Sequence, residues 1–293
     1  MVRIGSGARR WASIVAAWAA LGSDTRGSIR VPAALHGLVG FKNTQALTPT
    51  EGCLPLSFTL DTACAITRSV RDAVLLHEVL AARRVRLRRR PMRALRLALP
   101  TGPMLAGLDD VVTRAFERSV NRLRALGAEF VERPLPDSDI PWSSSGQISA
   151  AEAWAWHRGR LEVRHADYDP RVLTRIRGGG GIGAADYIER LQSRRHWIAQ
   201  VERMATDIDA FVCPTVPIVA PPLRPLLHDD EAFFAANALL LRNPSVVNHL
   251  DGCALSLPCQ APDELPVGLM VWAPGGHDDD VLDIALTIEQ ALH

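Results

Sequence analysis

Lysine is nearly missing from this chain. Lys42 is the single lysine in 293 residues, and every other basic residue is arginine. Any chemistry that needs a lysine must therefore use Lys42 or go without. Net charge is also scarce, at +1, so no strong field favours nucleic acid or an anionic membrane, and neither is expected as a partner. Aromatic residues make up only 5%. No apolar run approaches the ~20 residues of a transmembrane helix. The five cysteines (Cys53, Cys64, Cys213, Cys253 and Cys259) are odd in number, scattered and free of any Cys-x-x-Cys spacing. That excludes a disulfide framework and fits reduced, mostly buried thiols in the cytoplasm. Nine histidines occur, but no His-Glu-x-x-His and no Cys/His pair at ligand spacing, so no metal and no cofactor is expected. The Gly-x-Ser-x-Gly elbow of serine hydrolases is absent too.

What is present is an ordinary globular balance, 47% hydrophobic and 22% charged. Arg9 and Arg10 precede an apolar run over 11–21 that has the look of an export signal. A helix over 11–21, buried beneath the turn that follows it, explains the run better. Residues 28–41 read as a loop entering an apolar segment, and 42–64 as turns. Ser69 to Leu80 reads as a capped amphipathic helix. The eight arginines between 83 and 96 lack interleaved aromatics and read as a solvated connector. Leu95–Pro100 (strand), Asp109–Leu126 (helix, stopped by Gly127) and Ala128–Glu132 (strand) form the pattern of a crossover unit in an α/β sheet. The stretch from 143 to 202 is mainly helical, with loops expected at Ser143–Gly146 and in the glycine run 178–183. Ile208–Cys213 and Val267–Trp272 read as strands, Glu231–Arg242 and Asp279–Leu292 as helices.

The stretch Leu-Gly-Ser-Asp-Thr-Arg-Gly-Ser-Ile-Arg, residues 21 to 30, carries the chemistry. A turn holding Ser28 directly after Gly27, between Asp24 and Arg30, can present a hydroxyl and several backbone N–H groups at one point. A nucleophile and an oxyanion site are two of the three requirements of a serine hydrolase.

Residues 20–80 resemble the amidase signature family, serine hydrolases that cleave carboxamides. The resemblance rests on Gly22-Ser-Asp-Thr-Arg-Gly-Ser-Ile-Arg-Val-Pro-Ala-Ala-Leu35, then Gly37-Leu-Val-Gly-Phe-Lys42 and Leu54-Pro-Leu-Ser-Phe-Thr-Leu-Asp-Thr62. It continues through Asp209-Ala-Phe-Val-Cys-Pro-Thr-Val-Pro217 and residues 248–270. It implies a single domain over 1–293, an α/β/α sandwich with a mixed central sheet. In that domain 1–20 match poorly, the family's N-terminal part is lacking, and 143–205 form the helical substrate-pocket region. It implies Ser28 as the acylated nucleophile and the N–H groups of Thr25, Arg26, Gly27 and Ser28 as the oxyanion hole. Asp24 and Arg30 would brace the loop. The substrate would be a small-molecule carboxamide, cleaved at its C–N bond.

The family's proton carrier is a lysine upstream of the nucleophile, reached through a bridging serine. Ser6 is the candidate for that serine. No lysine precedes Ser28, and Lys42 matches a lysine of the family that is not the catalytic one. The expectation is therefore little or no turnover. A non-catalytic remnant or binding paralogue and an amidotransferase subunit stay open as alternatives. Sheet edges left exposed would favour homo-oligomers. Arg26 stands at a family glycine and would be strained if φ there were positive. Asn248, Cys253 and Leu257 are candidate pocket-lining residues.

Overall fold

The structure, a computed structural model, describes residues 17–136 and 139–292. Ser6, Arg9, Arg10 and most of the run expected as a helix lie outside them. In chain order the main elements are β1 (Ala19–Asp24), α1 (Arg30–Leu35), β2 (Val39–Lys42), β3 (Thr62–Thr67), α2 (Val70–Leu80), β4 (Arg96–Leu99), α3 (Asp110–Ala125) and β5 (Glu129–Glu132). They continue with α4 (Asp139–Arg164), α5 (Pro170–Gly178), α6 (Ala184–Met204), β6 (Ala210–Pro214), α7 (Leu223–His228), α8 (Asp230–Leu250), β7 (Cys253–Pro258), β8 (Gly268–Ala273) and α9 (Asp278–Leu292).

The strands form one mixed sheet in the order β1-β3-β2-β7-β8-β6-β4-β5. Neighbours are antiparallel from β1 to β6, and β6, β4 and β5 run parallel. Side chains alternate across it. On β7 and β8, Cys253, Leu255, Leu257, Leu269 and Val271 face a core shared with α2, α3 and α9. Ala254, Met270 and Trp272 face the other way, toward α6 and α8. Cys253 and Leu257 are thus core residues of the first layer, on the face opposite α8, and do not line a pocket beside it.

Local chemistry sets the helix ends. The Ser69 hydroxyl accepts the Asp72 N–H and starts α2. Asp109 accepts the Val112 N–H and starts α3, and Gly127, at φ 98°, ends it. β4, α3 and β5 form the expected parallel crossover. The arginine-rich connector is held by carboxylates: Arg83 pairs with Asp279, Arg84 with Glu78, and Arg90 with Asp209 and Asp280.

Four expectations are corrected. Residues 30–35 form α1 and are not part of a loop. Residues 19–21 belong to β1, not to a helix, because β1 pairs along its length with β3, from Ala19↔Thr67 to Asp24↔Thr62. Residues 143–146 are not a loop but part of α4, where Ser144 and Ser145 are buried. α8 does not end near Arg242. It runs through Pro244 to Leu250 and is closed by Asp251 in a left-handed conformation. The glycine run does join two helices, through a short turn at Gly179–Gly181. Its glycine content serves close approach: a Cβ on Gly179 would lie 1.9 Å from the Ala150 carbonyl oxygen of α4.

Four of the five thiols are buried and none is bonded to another. Burial pushes Cys64, Cys213 and Cys259 up to about 12. No helix among the described residues is long and apolar enough to cross a membrane.

Candidate active site

β1 ends at Asp24 and α1 begins at Arg30, so residues 25–29 form a strand–turn–helix corner. Asp24 and Arg30 are both fully buried and make a two-pronged ion pair. Arg30 Nη2 meets Oδ1 and Nε meets Oδ2, each at 3.0 Å. The same carboxylate accepts the Gly27 N–H at 2.7 Å and the Ile29 N–H at 3.3 Å. Asn248 of α8 donates Nδ2 to Asp24 Oδ1 at 3.0 Å and to the Asp24 carbonyl at 3.1 Å. In return its side-chain oxygen accepts from Arg30 Nη2, which also reaches the Pro244 carbonyl at 3.0 Å. Burial raises the Asp24 pKa, but Arg30, Lys42 and Asn248 outweigh that and leave it below the usual carboxylate range. The loop is thus tied to both β1 and α8 by charge-assisted bonds.

Gly27 has φ 129°, open only to glycine, and a Cβ there would stand 2.7 Å from Pro244 Cβ. Arg26 is not among the described residues with positive φ, so the strain expected of arginine at this position is absent; the left-handed step falls on Gly27. Because the Gly27 N–H is held by Asp24 Oδ1, it is not a free oxyanion donor. No acceptor among the described residues engages the N–H groups of Arg26 or Ser28. Thr25 is buried and gives its hydroxyl to Asp61, which also accepts the Leu56 and Ser57 N–H groups at 2.8 and 3.0 Å.

Ser28 itself is exposed at the apex, between the buried Gly27 and Ile29. Among the described residues its hydroxyl meets no histidine, lysine or carboxylate. Lys42 is elsewhere: fully buried, with Nζ donating to the Asn43 carbonyl at 2.9 Å and the Gly252 carbonyl at 2.7 Å. Burial and Arg30 lower its pKa, while Asp251 and Asp24 oppose the change. Lys42 therefore fixes the α8–β7 corner.

α8 supplies what the sequence left unassigned. Ser245 Oγ accepts Arg26 Nε at 3.2 Å. His249 is fully buried against Trp197, with neither ring nitrogen bonded. Burial, then Arg194 and Arg26, push its pKa down to about 3. Asn248 was recognisable only as part of a matching segment, since nothing local marks an asparagine as a bridge to a residue 224 positions away. A hollow lined by Glu202, Phe211, Pro274 and His277 touches no residue of the turn.

The sequence model of the amidase family matches residues 5–282. A 2-amino-5-chloromuconic acid deaminase of Comamonas testosteroni is 33% identical over 98% of this chain and 64% of its own. An indoleacetamide hydrolase of Allorhizobium ampelinum is 30% identical over 93% of this chain and 63% of its own. Among solved structures, one described as an amidase superposes with a TM-score of 0.83 at 30% identity, covering 94% of this chain and 63% of that one. The chain therefore spans a little under two thirds of the length of these relatives, and within that span both sequence and fold agree: it belongs to the amidase family.

Proposed function

We propose that this chain carries the acyl-accepting part of an amide hydrolase, with Ser28 as its nucleophile. One observation carries the reading. Ser28 stands exposed on a turn whose flanking backbone is fixed from beneath by the buried Asp24–Arg30–Asn248 network. In the proposed reaction Ser28 Oγ bonds to the carboxamide carbon. The C–N bond breaks and the amine leaves with the serine proton. Water then cleaves the ester, releasing the acid and restoring the hydroxyl. The N–H groups of Arg26 and Ser28, with that of Thr25, would face the oxyanion, each worth about 3 kcal/mol of barrier. Asp24 contributes by holding Gly27 in the conformation that aims its neighbours.

The relatives' names bracket the substrate, one specifying an amino acid of the muconic type and the other an acetamide. The chain's own substrate is proposed as a small carboxamide. A second reading, a protein that keeps the acyl pocket without turnover, is favoured by one observation: Lys42 is bound to two carbonyls and no described residue is placed to take the Ser28 proton.

The test is acylation. Treated with 4-nitrophenyl acetate, the chain should gain one acetyl group on the peptide containing Ser28, and Ser28→Ala should gain none. Equal labelling of both proteins would sink the nucleophile assignment. Acylation without ammonia release from simple carboxamides would select the second reading.

A further inference from the structure

Ten arginines among the described residues are matched to a carboxylate. Arg30, Arg83, Arg84, Arg90, Arg96, Arg118, Arg133 and Arg171 all make ion pairs. Arg26, two residues before the nucleophile, is partly buried between α4 and α8. Its Nε reaches only Ser245 Oγ, and a methyl group on Gly146 would stand 3.3 Å from its Nη1. No carboxylate among the described residues lies within ion-pair distance of it. Burial, with Arg175 nearby, pushes its pKa down to about 10. Arg175 also lacks an ion pair, and its guanidinium stands over the Phe233 and Phe234 rings at 6.0 and 5.6 Å. Arg194 donates to the His249 carbonyl at 2.7 Å and makes no ion pair, though Asp251 and Glu152 act on its charge. His249, inside this group with two unbonded ring nitrogens, stays neutral and supplies no compensating charge.

A guanidinium partly withdrawn from water without an anion leaves part of its desolvation cost unanswered. Arg26 stands two residues before the exposed nucleophile candidate with no acid within ion-pair distance among the described residues, and Arg175 is near enough to disfavour its charge further. We infer that the acyl pocket takes a carboxamide that itself carries a carboxylate, the monoamide of a short dicarboxylic acid, with the free carboxylate received by Arg26. A guanidinium offers parallel N–H donors that match a carboxylate in two-point contact, and no acceptor among the described residues engages Arg26 Nη1 or Nη2. Arg175 adds attraction without needing contact. Anchored at Arg26, such a substrate would present its amide end toward Ser28, two residues on. The inference rests on the reading of Ser28 for which end of the ligand reacts, but not for whether the anion binds.

The test therefore measures binding without turnover. With the full chain as Ser28→Ala, calorimetry would compare succinamate with the neutral diamide succinamide. Succinamate should bind at least tenfold more tightly, and the preference should shrink as sodium chloride is raised. Adding Arg26→Gln should reduce the preference to about twofold or less, and Arg175→Gln should reduce it partly. Thermal melts of the variants confirm folding, and Arg26→Lys should restore part of the preference if charge at this position is what matters. Equal binding of the two ligands, no binding of either at millimolar concentration, or a preference untouched by Arg26→Gln would overturn the inference. Anion preference without Ser28 acylation would sink the hydrolase reading alone. Ser28 acylation without anion preference would sink only the role of Arg26.

Discussion

Arg26 and Arg30 stand four residues apart on either side of Ser28, Arg30 fully buried and Arg26 partly, and they are treated in opposite ways. Arg30 meets a carboxylate, a carbonyl and an asparagine oxygen, so its charge is fully answered inside the fold. Arg26 meets one serine hydroxyl and, at longer range, the guanidinium of Arg175. The difference separates two uses of a buried charge. A compensated pair fixes geometry and is expensive to break from one side. An uncompensated charge contributes nothing to stability and gains a partner only when an anion arrives.

The largest effect should come from breaking the compensated side. Arg30→Met leaves the Asp24 carboxylate buried and unanswered, and should cost about 3–5 kcal/mol in urea unfolding. A loss below about 1 kcal/mol would mean the brace is not what holds the turn. Gly27→Ala should follow, at about 3 kcal/mol, from the forbidden φ and the collision with Pro244.

The third effect is a pH dependence. His249 has its pKa lowered to about 3, so the unfolded chain takes up a proton near pH 6.5 that the folded chain refuses until much lower pH. Stability should be complete above pH 6.5 and fall by a few kcal/mol as pH drops from there toward 4. His249→Phe should flatten that slope in chemical denaturation, and an unchanged slope would assign it elsewhere. Asp24, whose pKa is lowered, keeps its stabilising contribution throughout this window and loses it only below about pH 4. The smallest effect belongs to the uncompensated side: Arg26→Gln should leave the melting temperature unchanged or slightly raised. A large drop would show that Arg26 is structural after all and erase the contrast with Arg30.

Much of this molecule was legible in its sequence where local chemistry decides. Ser69, Asp109 and Gly127 mark helix ends by their own side chains or by their lack of one, and α2, α3 and the β4–α3–β5 crossover lie where those signals put them. The family and the turn at Ser28 were legible because a run of specific residues carries them. The misreadings fall where distant contacts decide. β1 resembles a helix end in isolation, and only pairing with β3 some forty residues later makes it a strand. The serines of α4 suggest a loop until their burial is known. Pro244 argues for a helix end, yet α8 continues through it, because its ring fills the space opened by Gly27 and its carbonyl receives Arg30. The solitude of Arg26 was illegible for the same reason, since a missing partner leaves no mark in a sequence.

The burial of Lys42 has a practical consequence. It holds the chain's one side-chain amine at 1% exposure, with Nζ bound to two carbonyls. An amine-directed reagent can reach that nitrogen only when the α8–β7 corner opens. Modification of Lys42, read by mass spectrometry, would therefore count open molecules directly, with no background from other lysines, and its rate would time how often this corner of the protein breathes.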